Sequence, residues 1–233
     1  MHKEEFVSAL KELGIGITEE QLNKLDTYYK MIIDYNSHTN LTRITKEDEV
    51  YLKHFYDSLT LTKAINLDNQ TLLDVGTGAG FPGLVLKIVF PNLKVTLVDS
   101  LNKRIVFLNS VIEKLGLTNI IAIHSRAEEY AVNNKESFDI VTSRAVANLN
   151  TLSELCIPMV REGGYFISMK SDAHEEIKVA NNAIKTLGGV IKDTIIFSLP
   201  FDSGLRTLIK IQKVSKTASK YPRKFSEIKK KPL

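Results

Sequence analysis

The chain has 233 residues, of which 43% are apolar, so it can bury a core as one α/β domain with an appendage or as two small domains. Cys156 is the only cysteine, which excludes an intrachain disulfide, and the lack of a secretory leader leads us to expect a reducing cytoplasm. No apolar run approaches the roughly 20 residues of a membrane-spanning helix, so we expect no membrane association.

Charge is unevenly distributed along the chain. Residues 1–60 carry 7 Lys/Arg against 11 Asp/Glu, whereas residues 206–233 carry 10 Lys/Arg against a single acid, Glu227. This basic end favours a polyanionic partner, nucleic acid first, although a solvated, frayed tail is the alternative. Tyr221 and Phe225 could stack on bases. The side chains that could neutralise phosphates are Lys213, Lys216, Lys220, Arg223, Lys224, Lys229, Lys230 and Lys231.

The pattern of residues 1–66 predicts a helical extension. Apolar residues recur at helical spacing at Phe6, Leu10 and Leu13. Residues 18–21 read as a capping box that opens a second helix. A further helix is predicted to carry His54 and Asp57 and to end near residue 65, and we expect the whole extension to pack on the domain that follows.

From Thr71 onwards, short apolar strands alternate with helical stretches. Strands are predicted at 71–75, 95–98, 120–123, 138–141, 165–169, 190–197 and 205–211, with helices from Pro82 and at 104–115, 127–132, 149–160 and 173–187. The last two strands have no helix between them and should pair antiparallel. The alternation predicts a doubly wound, Rossmann-like, mostly parallel sheet over 67–213, followed by a basic tail over 214–233.

A glycine-rich loop follows the first predicted strand. Gly78, Gly80 and Gly83 match the G-x-G-x-x-G pattern, which is weak by itself. Glycines permit positive φ and close approach of a ligand, and the following helix start offers N–H groups to an anion. A dinucleotide pyrophosphate and the carboxylate of a methionine moiety fit equally well.

Asp99 ends the second predicted strand, 21 residues after Gly78. A carboxylate at this position can accept hydrogen bonds from both ribose hydroxyls of an adenosine, in NAD and in S-adenosylmethionine alike. The alternative role of Asp99 is to cap the helix that follows.

Three features favour S-adenosylmethionine over NAD. Asp74 lies inside the first strand, where NAD sites usually have an apolar residue. The glycines Gly76, Gly78 and Gly80 alternate, and the closing antiparallel hairpin is typical of methyltransferase sheets. The sequence therefore predicts a class I methyltransferase fold with Asp74, the three alternating glycines and Asp99 at its cofactor site.

Eight runs along the chain resemble one bacterial family. They are 40–42, 53–59, 73–83, 98–104, 125–129, 142–147, 220–223 and 231–233. In this order they are similar to the RsmG family, also called glucose-inhibited division protein B, over nearly the whole chain. Lys53 stands where that family usually has arginine, and Asn102 where it commonly has glycine.

The resemblance implies methylation of N7 of one guanine in 16S ribosomal RNA, the RNA of the small subunit. It also implies cofactor contacts at Gly76, Phe81, Ala127, Glu128 and Arg144. Read from the chain alone, the Ala127-Glu128 pair follows the third strand and Arg144 the fourth, which puts them at the carboxyl edge of the sheet.

The expected chemistry needs alignment rather than a general base, because a sulfonium methyl is already activated and guanine N7 has a free lone pair. Arg144 is the catalytic candidate, since its fork could bind the cofactor carboxylate, guanine O6 or a phosphate; a salt bridge is the alternative. His54, which Asp57 could orient, is a weaker candidate than Arg144, because a histidine in a helix ahead of the sheet is more often a packed or exposed residue than a catalyst. No metal-ligand spacing is present, and we expect a monomer.

Two other functions remain open from the residues themselves. A nicotinamide-dependent oxidoreductase would share the glycine loop and Asp99. A non-catalytic, RNA-binding ribosome-assembly protein would bind RNA through the basic tail, and its glycine loop would belong to a vestigial cofactor site. The intact loop argues against the second.

Overall fold

A central sheet organises the computed structural model, which describes residues 1–144 and 146–233. Ala145, within the family-like run 142–147, lies outside the described residues. The described part of the chain forms seven strands: β1 (Thr71–Val75), β2 (Lys94–Asp99), β3 (Ile120–His124), β4 (Phe138–Arg144), β5 (Val160–Lys170), β6 (Gly189–Ser198) and β7 (Leu205–Lys213).

The strand order is β3-β2-β1-β4-β5-β7-β6, with β1 to β5 parallel. β7 is antiparallel to both β5 and β6, which confirms the predicted hairpin. The order reverses between β1 and β4, and ligands of such sheets bind beyond the carboxyl ends of the strands at this point. We call this side of the sheet the carboxyl edge.

The helices between the strands lie close to the predicted positions. They are α5 (Gly83–Val89), α6 (Asn102–Lys114), α7 (Ala127–Asn133), α8 (Leu149–Cys156) and α9 (His174–Thr186). Pro82 precedes α5 as its N-cap residue instead of opening the helix. None of the described helices is long and apolar enough to cross a membrane.

The end of α8 differs from the prediction. The helix predicted over 149–160 stops at Cys156 and passes through a 3-10 turn (Ile157–Met159) into β5. The pair Gly163-Gly164, whose composition favours a helix stop after the predicted helix, lies instead inside β5, where the register against β4 shifts between Phe138 and Ile140. Gly163 has φ +81°, so the glycines form an irregularity that the strand absorbs rather than a break.

The N-terminal region is helical, as predicted, with α1 (Lys3–Glu12), α2 (Glu19–Asn36), α3 (Glu47–Val50), a π-helical segment (Tyr51–Tyr56), α4 (Asp57–Leu59) and a 3-10 turn (Thr60–Lys63). The Thr18 hydroxyl accepts a hydrogen bond from the Gln21 N–H at 3.2 Å, and the Gln21 side chain accepts one from the Thr18 N–H at 2.9 Å. The capping box is therefore confirmed. The third helical stretch starts at Glu47, earlier than the predicted motif residues.

Tyr28 joins these helices to the glycine loop. The side chain is fully buried, and its hydroxyl donates a hydrogen bond to the carbonyl of Ala79. Its ring packs against Phe55 at 5.6 Å, Phe81 at 5.7 Å and Phe107 at 6.4 Å between centroids. Because these rings belong to both parts of the chain, the N-terminal helices share one apolar core with the sheet.

The basic tail is packed rather than frayed. It contains a short helix, α10 (Phe225–Lys230), and buries Tyr221 and Ile228. The Arg223 side chain and backbone N–H donate three hydrogen bonds, of 2.6 to 2.9 Å, to the carboxylate of Glu154 on α8. Since β7 ends at the amino ends of the parallel strands, the tail starts on the opposite side of the sheet from the carboxyl edge.

Candidate active site

Asp74 holds the glycine loop from beneath. One carboxylate oxygen accepts hydrogen bonds from the Thr77 hydroxyl at 2.7 Å and from the Gly83 N–H at 2.8 Å. The side chain is fully buried, and burial raises its pKa to about 6 against the opposing effect of these two hydrogen bonds. Asp74 is thus tied to the loop and to the start of α5, and it lies below the surface that a ligand could reach.

Two glycines of the loop are required by its geometry. Gly80 has φ +106°, and a Cβ there would lie 2.5 Å from the Tyr28 hydroxyl. Gly78 has φ +62°, faces open space, and donates its N–H to Asp99 at 2.9 Å. Residues with a Cβ rarely adopt these backbone angles, so the loop depends on glycine at both positions.

A cavity of about 390 Å³ opens at the switch point between β1 and β4. This volume lies in the usual range for small-ligand sites. The residues that line it are Leu41, Thr42, His54, Gly76, Thr77, Gly78, Ala79, Phe81, Asp99, Ser100, Arg104, Arg144 and Val146. We call it the first cavity.

Of the predicted cofactor residues, five line the first cavity: Gly76, Gly78, Phe81, Asp99 and Arg144. Four predicted residues do not line it: Asp74, Gly80, Ala127 and Glu128. Asp74 and Gly80 lie in the packing beneath the loop. Ala127 and Glu128 open α7, beyond the end of β3.

Asp99 is a fixed carboxylate at the end of β2. It is 2% exposed and accepts hydrogen bonds from the N–H groups of Gly78 and Leu101, each at 2.9 Å. Arg104 from α6 adds an ion pair at 3.0 Å. The alternative that Asp99 caps the next helix is wrong, because the N-cap residue of α6 is Leu101 and makes no side-chain cap bond; the bond from the Leu101 N–H to Asp99 is a turn bond just before the helix.

A second cavity of about 550 Å³ adjoins the first. Its lining residues are Ile44, Lys53, His54, Asp57, Arg144, Val146, Ala147, Asn148, Met169, Lys170, Ser171, Glu176, Arg206 and Leu208. Among the described residues, His54, Arg144 and Val146 line both cavities. Arg144 therefore stands where the two spaces meet.

Asp57 holds two arginines at the second cavity. One carboxylate oxygen lies 3.1 Å from Nη1 of Arg144, and the other lies 2.9 Å from Nε of Arg206. Arg144 also donates to the carbonyl of Lys53 at 3.1 Å. The salt bridge considered for Arg144 is thus present, and the same guanidinium faces both cavities.

His54 is a neutral neighbour of Arg144. Its Nε2 lies 2.9 Å from the Thr42 hydroxyl, and its Nδ1 lies 3.2 Å from Nη2 of Arg144, which can only donate. Burial, and then the charge of Arg144, lower its pKa to about 3. The expectation that Asp57 orients His54 is wrong, because the hydrogen bonds of Asp57 go to Arg144 and Arg206.

His54 also stacks on Phe81. The two ring centroids are 4.3 Å apart with the planes at 17°, and the guanidinium carbon of Arg144 lies 5.2 Å from the Phe81 centroid. A cation at this distance from an aromatic face is attracted by the ring. Phe81 is thereby fixed at the wall of the first cavity.

Sequence reasoning missed Lys170 and Arg206. Both line the second cavity, and Lys170 forms an ion pair with Glu176 of α9 at 2.8 Å. Arg206 meets its partner Asp57 across 149 residues of chain. The sequence offered one signal for them: Lys170 follows the fifth predicted strand, and Arg206 lies at the start of the last one, which the predicted antiparallel hairpin brings to the carboxyl edge.

Two basic residues of the tail region are built into the fold. Lys213 is 1% exposed, donates to the carbonyl of Ile157 at 3.1 Å, and has its pKa lowered to about 8 by burial. Arg223 is paired with Glu154. In the tail (214–233), the exposed basic residues are Lys216, Lys220, Lys224, Lys229, Lys230 and Lys231. In the described part of the chain, no three His, Cys, Asp or Glu side chains are grouped as metal ligands.

The strand order, the glycine loop after β1 and the acid at the end of β2 define a class I, Rossmann-like methyltransferase. TYW2 from M. jannaschii, solved in complex with AdoMet, shares this fold with a TM-score of 0.55 and 15% identity over 68% of this chain and 77% of that one. A 16S rRNA (adenine(1408)-N(1))-methyltransferase from Catenulisporales acidiphilia gives 0.55 and 14% over 64% and 87%. These likenesses concern the fold.

The family follows from the sequence. The profile of the GidB family, described as rRNA small subunit methyltransferase G, matches residues 21–199, and the chain belongs to this family. The ribosomal RNA small subunit methyltransferase G of Limosilactobacillus reuteri is 49% identical over 100% of both chains. That of Staphylococcus saprophyticus is 52% identical over 94% of this chain and 93% of its own. The family named from the sequence motifs is thereby confirmed.

Proposed function

We propose that this chain transfers the methyl group of S-adenosylmethionine to N7 of a guanine in 16S ribosomal RNA. The observation that carries the proposal is the pair of adjoining cavities that meet at Arg144, in a chain of the rRNA small subunit methyltransferase G family. One cavity takes the cofactor and the other the base. The family match disfavours a nicotinamide oxidoreductase and a non-catalytic assembly protein, because the matching relatives are named methyltransferases.

The residues of the first cavity fit the cofactor. Gly78 has no atom within 4 Å of where its Cβ would be, so the loop forms an open cradle beside the Asp99 carboxylate. Asp99 would accept hydrogen bonds from the ribose hydroxyls, while Gly76 and Phe81 line the cradle and Arg144 offers a cation to the methionine carboxylate. Ala127 and Glu128 would approach the adenine from α7. Asp74 and Gly80 contribute by holding the loop.

The chemistry of this site is alignment. When bound, the cofactor supplies a methyl group that its sulfonium already activates, and guanine N7 has a lone pair and no proton to lose. The protein therefore has to hold the base and exclude water, and it needs no general base. Arg144, fixed by Asp57, donates to an acceptor such as guanine O6 or a phosphate.

The charge at the meeting point of the cavities is kept low. Methylation at N7 places positive charge on the purine, which a cation in contact with the ring opposes. His54 stays neutral at pH 7 because its pKa is lowered to about 3, and the single carboxylate of Asp57 offsets one of the two positive charges of Arg144 and Arg206. The site thus supplies donors without adding a second free cation beside the base.

The RNA is bound through phosphates as well as through the base. Exposed lysines of the tail, Lys220, Lys224, Lys229, Lys230 and Lys231, would contact phosphates, whereas Arg223 is engaged by Glu154. We take the protein to act as a monomer in the cytoplasm, on RNA that is either free or assembled in the 30S particle. We divide the chain into a helical extension (1–66), a methyltransferase domain (67–213) and a basic tail (214–233).

Labelled methyl transfer tests the proposal. Unmodified small subunits and their naked RNA are incubated with the protein and labelled S-adenosylmethionine, and the modified base is mapped. We expect one guanine to carry the label at N7. Thermal melting gives a parallel readout, because S-adenosylhomocysteine should raise the melting temperature and NAD should not. A shift with NAD, or no transfer to either RNA substrate, would contradict the proposal.

A further inference from the structure

The turn between β6 and β7 lies at the edge of the sheet that carries both cavities. Lys170, at the carboxyl end of β5, pairs with Thr207 near the start of β7, and Ser198 at the end of β6 pairs with Leu205. The Thr207 hydroxyl donates to the carbonyl of Ser171 at 2.7 Å. The turn of residues 199–204 therefore projects from the carboxyl edge, next to the second cavity.

This turn is anchored at its base and presents an aromatic ring at its tip. Leu199 is 2% exposed, and its N–H bonds to the carbonyl of Gly204 at 3.0 Å. Phe201, two residues later, is 61% exposed. Its φ is +58° and that of Asp202 is +49°, a conformation that is unusual for a bulky residue. Single exposed apolar residues are common, so the position of this one is what matters.

The base of the turn is continuous with the wall of the second cavity. Arg206, the second residue after the turn, lines the cavity, and its Nε lies 2.9 Å from the carboxylate of Asp57. Phe197, which pairs with Arg206 across the hairpin, lies 5.2 Å from the Nζ of Lys63. The base of this turn therefore carries two cations, Arg206 and Lys63, that suit the backbone of an RNA strand.

We propose that Phe201 stacks on a nucleobase that neighbours the guanine held in the second cavity. A base must leave its stack to enter a pocket, and this leaves the face of the adjacent base uncovered. Aromatic side chains cover such faces in complexes with single-stranded RNA, without regard to which base it is. The inference rests on the proposed function, and it assigns the turn of residues 199–204 as part of the RNA-binding surface.

Substitutions at Phe201 test this contact in the full-length protein. Phe201→Ala should weaken binding of the RNA substrate about 5- to 150-fold, the range of base–aromatic stacking, while affinity for S-adenosylhomocysteine stays unchanged. Phe201→Tyr should retain binding. Phe201→Gly removes the ring and suits the positive φ, so it should lose RNA affinity without losing melting temperature.

Val132→Ala is the matched control. Val132 is 64% exposed and lies near the end of α7, which leads back to the amino end of β4, away from the cavities. Its RNA affinity should stay within about 2-fold of the parent. Parent-like RNA binding and methylation by Phe201→Ala, with the parent active, would overturn the inference and leave the proposed function standing. An inactive parent would overturn both.

Discussion

Arg223 is predicted from the sequence to contact RNA phosphates, but in the structure it forms an ion pair with the buried Glu154. Substituting Arg223 tests whether its role is structural. Glu154 is fully buried and receives three hydrogen bonds from Arg223, whose side chain is 21% exposed. Arg223→Ala removes the guanidinium and leaves the carboxylate without its cation. Removing one partner of a buried ion pair costs about 3–5 kcal/mol. For a chain of this length the loss corresponds to a melting temperature lower by roughly 6–20 °C.

Calorimetry and urea unfolding measure this loss, and limited trypsin digestion locates it. If the tail detaches before the rest unfolds, the cost is limited to that of undocking and appears as faster cleavage near Lys220. Arg161→Ala is the control, because Arg161 pairs with Asp139 but is 56% exposed, and exposed pairs contribute about 1 kcal/mol or less. The double variant Glu154→Leu/Arg223→Met should regain much of the stability, since apolar replacement of a buried pair is often neutral.

A parent-like melting temperature for Arg223→Ala, together with parent-like trypsin cleavage near Lys220, would refute this reasoning. If RNA affinity then fell as well, Arg223 would be a phosphate contact, as the composition of the tail suggested.

Three further predictions concern the carboxyl edge. Asp99→Asn removes the charged acceptor from the first cavity and should weaken S-adenosylhomocysteine binding about 10- to 150-fold by titration calorimetry; an unchanged Kd would exclude Asp99 from the cofactor site. Asp57→Asn turns an amide N–H₂ towards Arg144 or Arg206, so kcat should fall at least about tenfold, and a parent-like kcat would show that neither pair is needed. In the parent, protonation of His54 in the unfolded chain alone should remove about 2 kcal/mol of stability between pH 6.5 and 5, because its folded pKa is lowered to about 3. His54→Gln should lack this loss in urea titrations. The folded pKa of Asp74 is raised to about 6, so protonation of Asp74 in the folded state increases the free energy of unfolding as the pH falls. This contribution is the same in the parent and in His54→Gln, and it cancels when the two are compared. If the free energy of unfolding changed with pH equally in the parent and in His54→Gln, His54 could not be buried and neutral.

Much of the fold followed from local patterns in the sequence. The alternation of strands and helices, the capping box at Thr18 and the closing hairpin each depend on residues within one or two turns of chain. The boundary between α8 and β5 was misplaced because glycines in an irregular strand look the same as glycines that end a helix.

The candidate site was predicted less completely. Asp99 and the glycine loop were found because their spacing along the chain is fixed by one βαβ unit. The network of Asp57 with Arg144 and Arg206 joins residues 87 and 149 positions apart, and no local spacing indicates such pairs. The roles of Lys213 and Arg223 were missed because a basic composition does not tell which side chains are buried.

The reversed direction of β7 has a consequence for the size of the substrate. This strand has 9 residues, so at about 3.4 Å per residue it carries the chain roughly 30 Å from the cavities before the tail begins. An RNA that touches both the second cavity and the lysines of the tail must bridge that distance around the side of the molecule. A short oligonucleotide bearing the target guanine would fill the cavity and leave the tail untouched, whereas a folded rRNA domain is large enough to engage both.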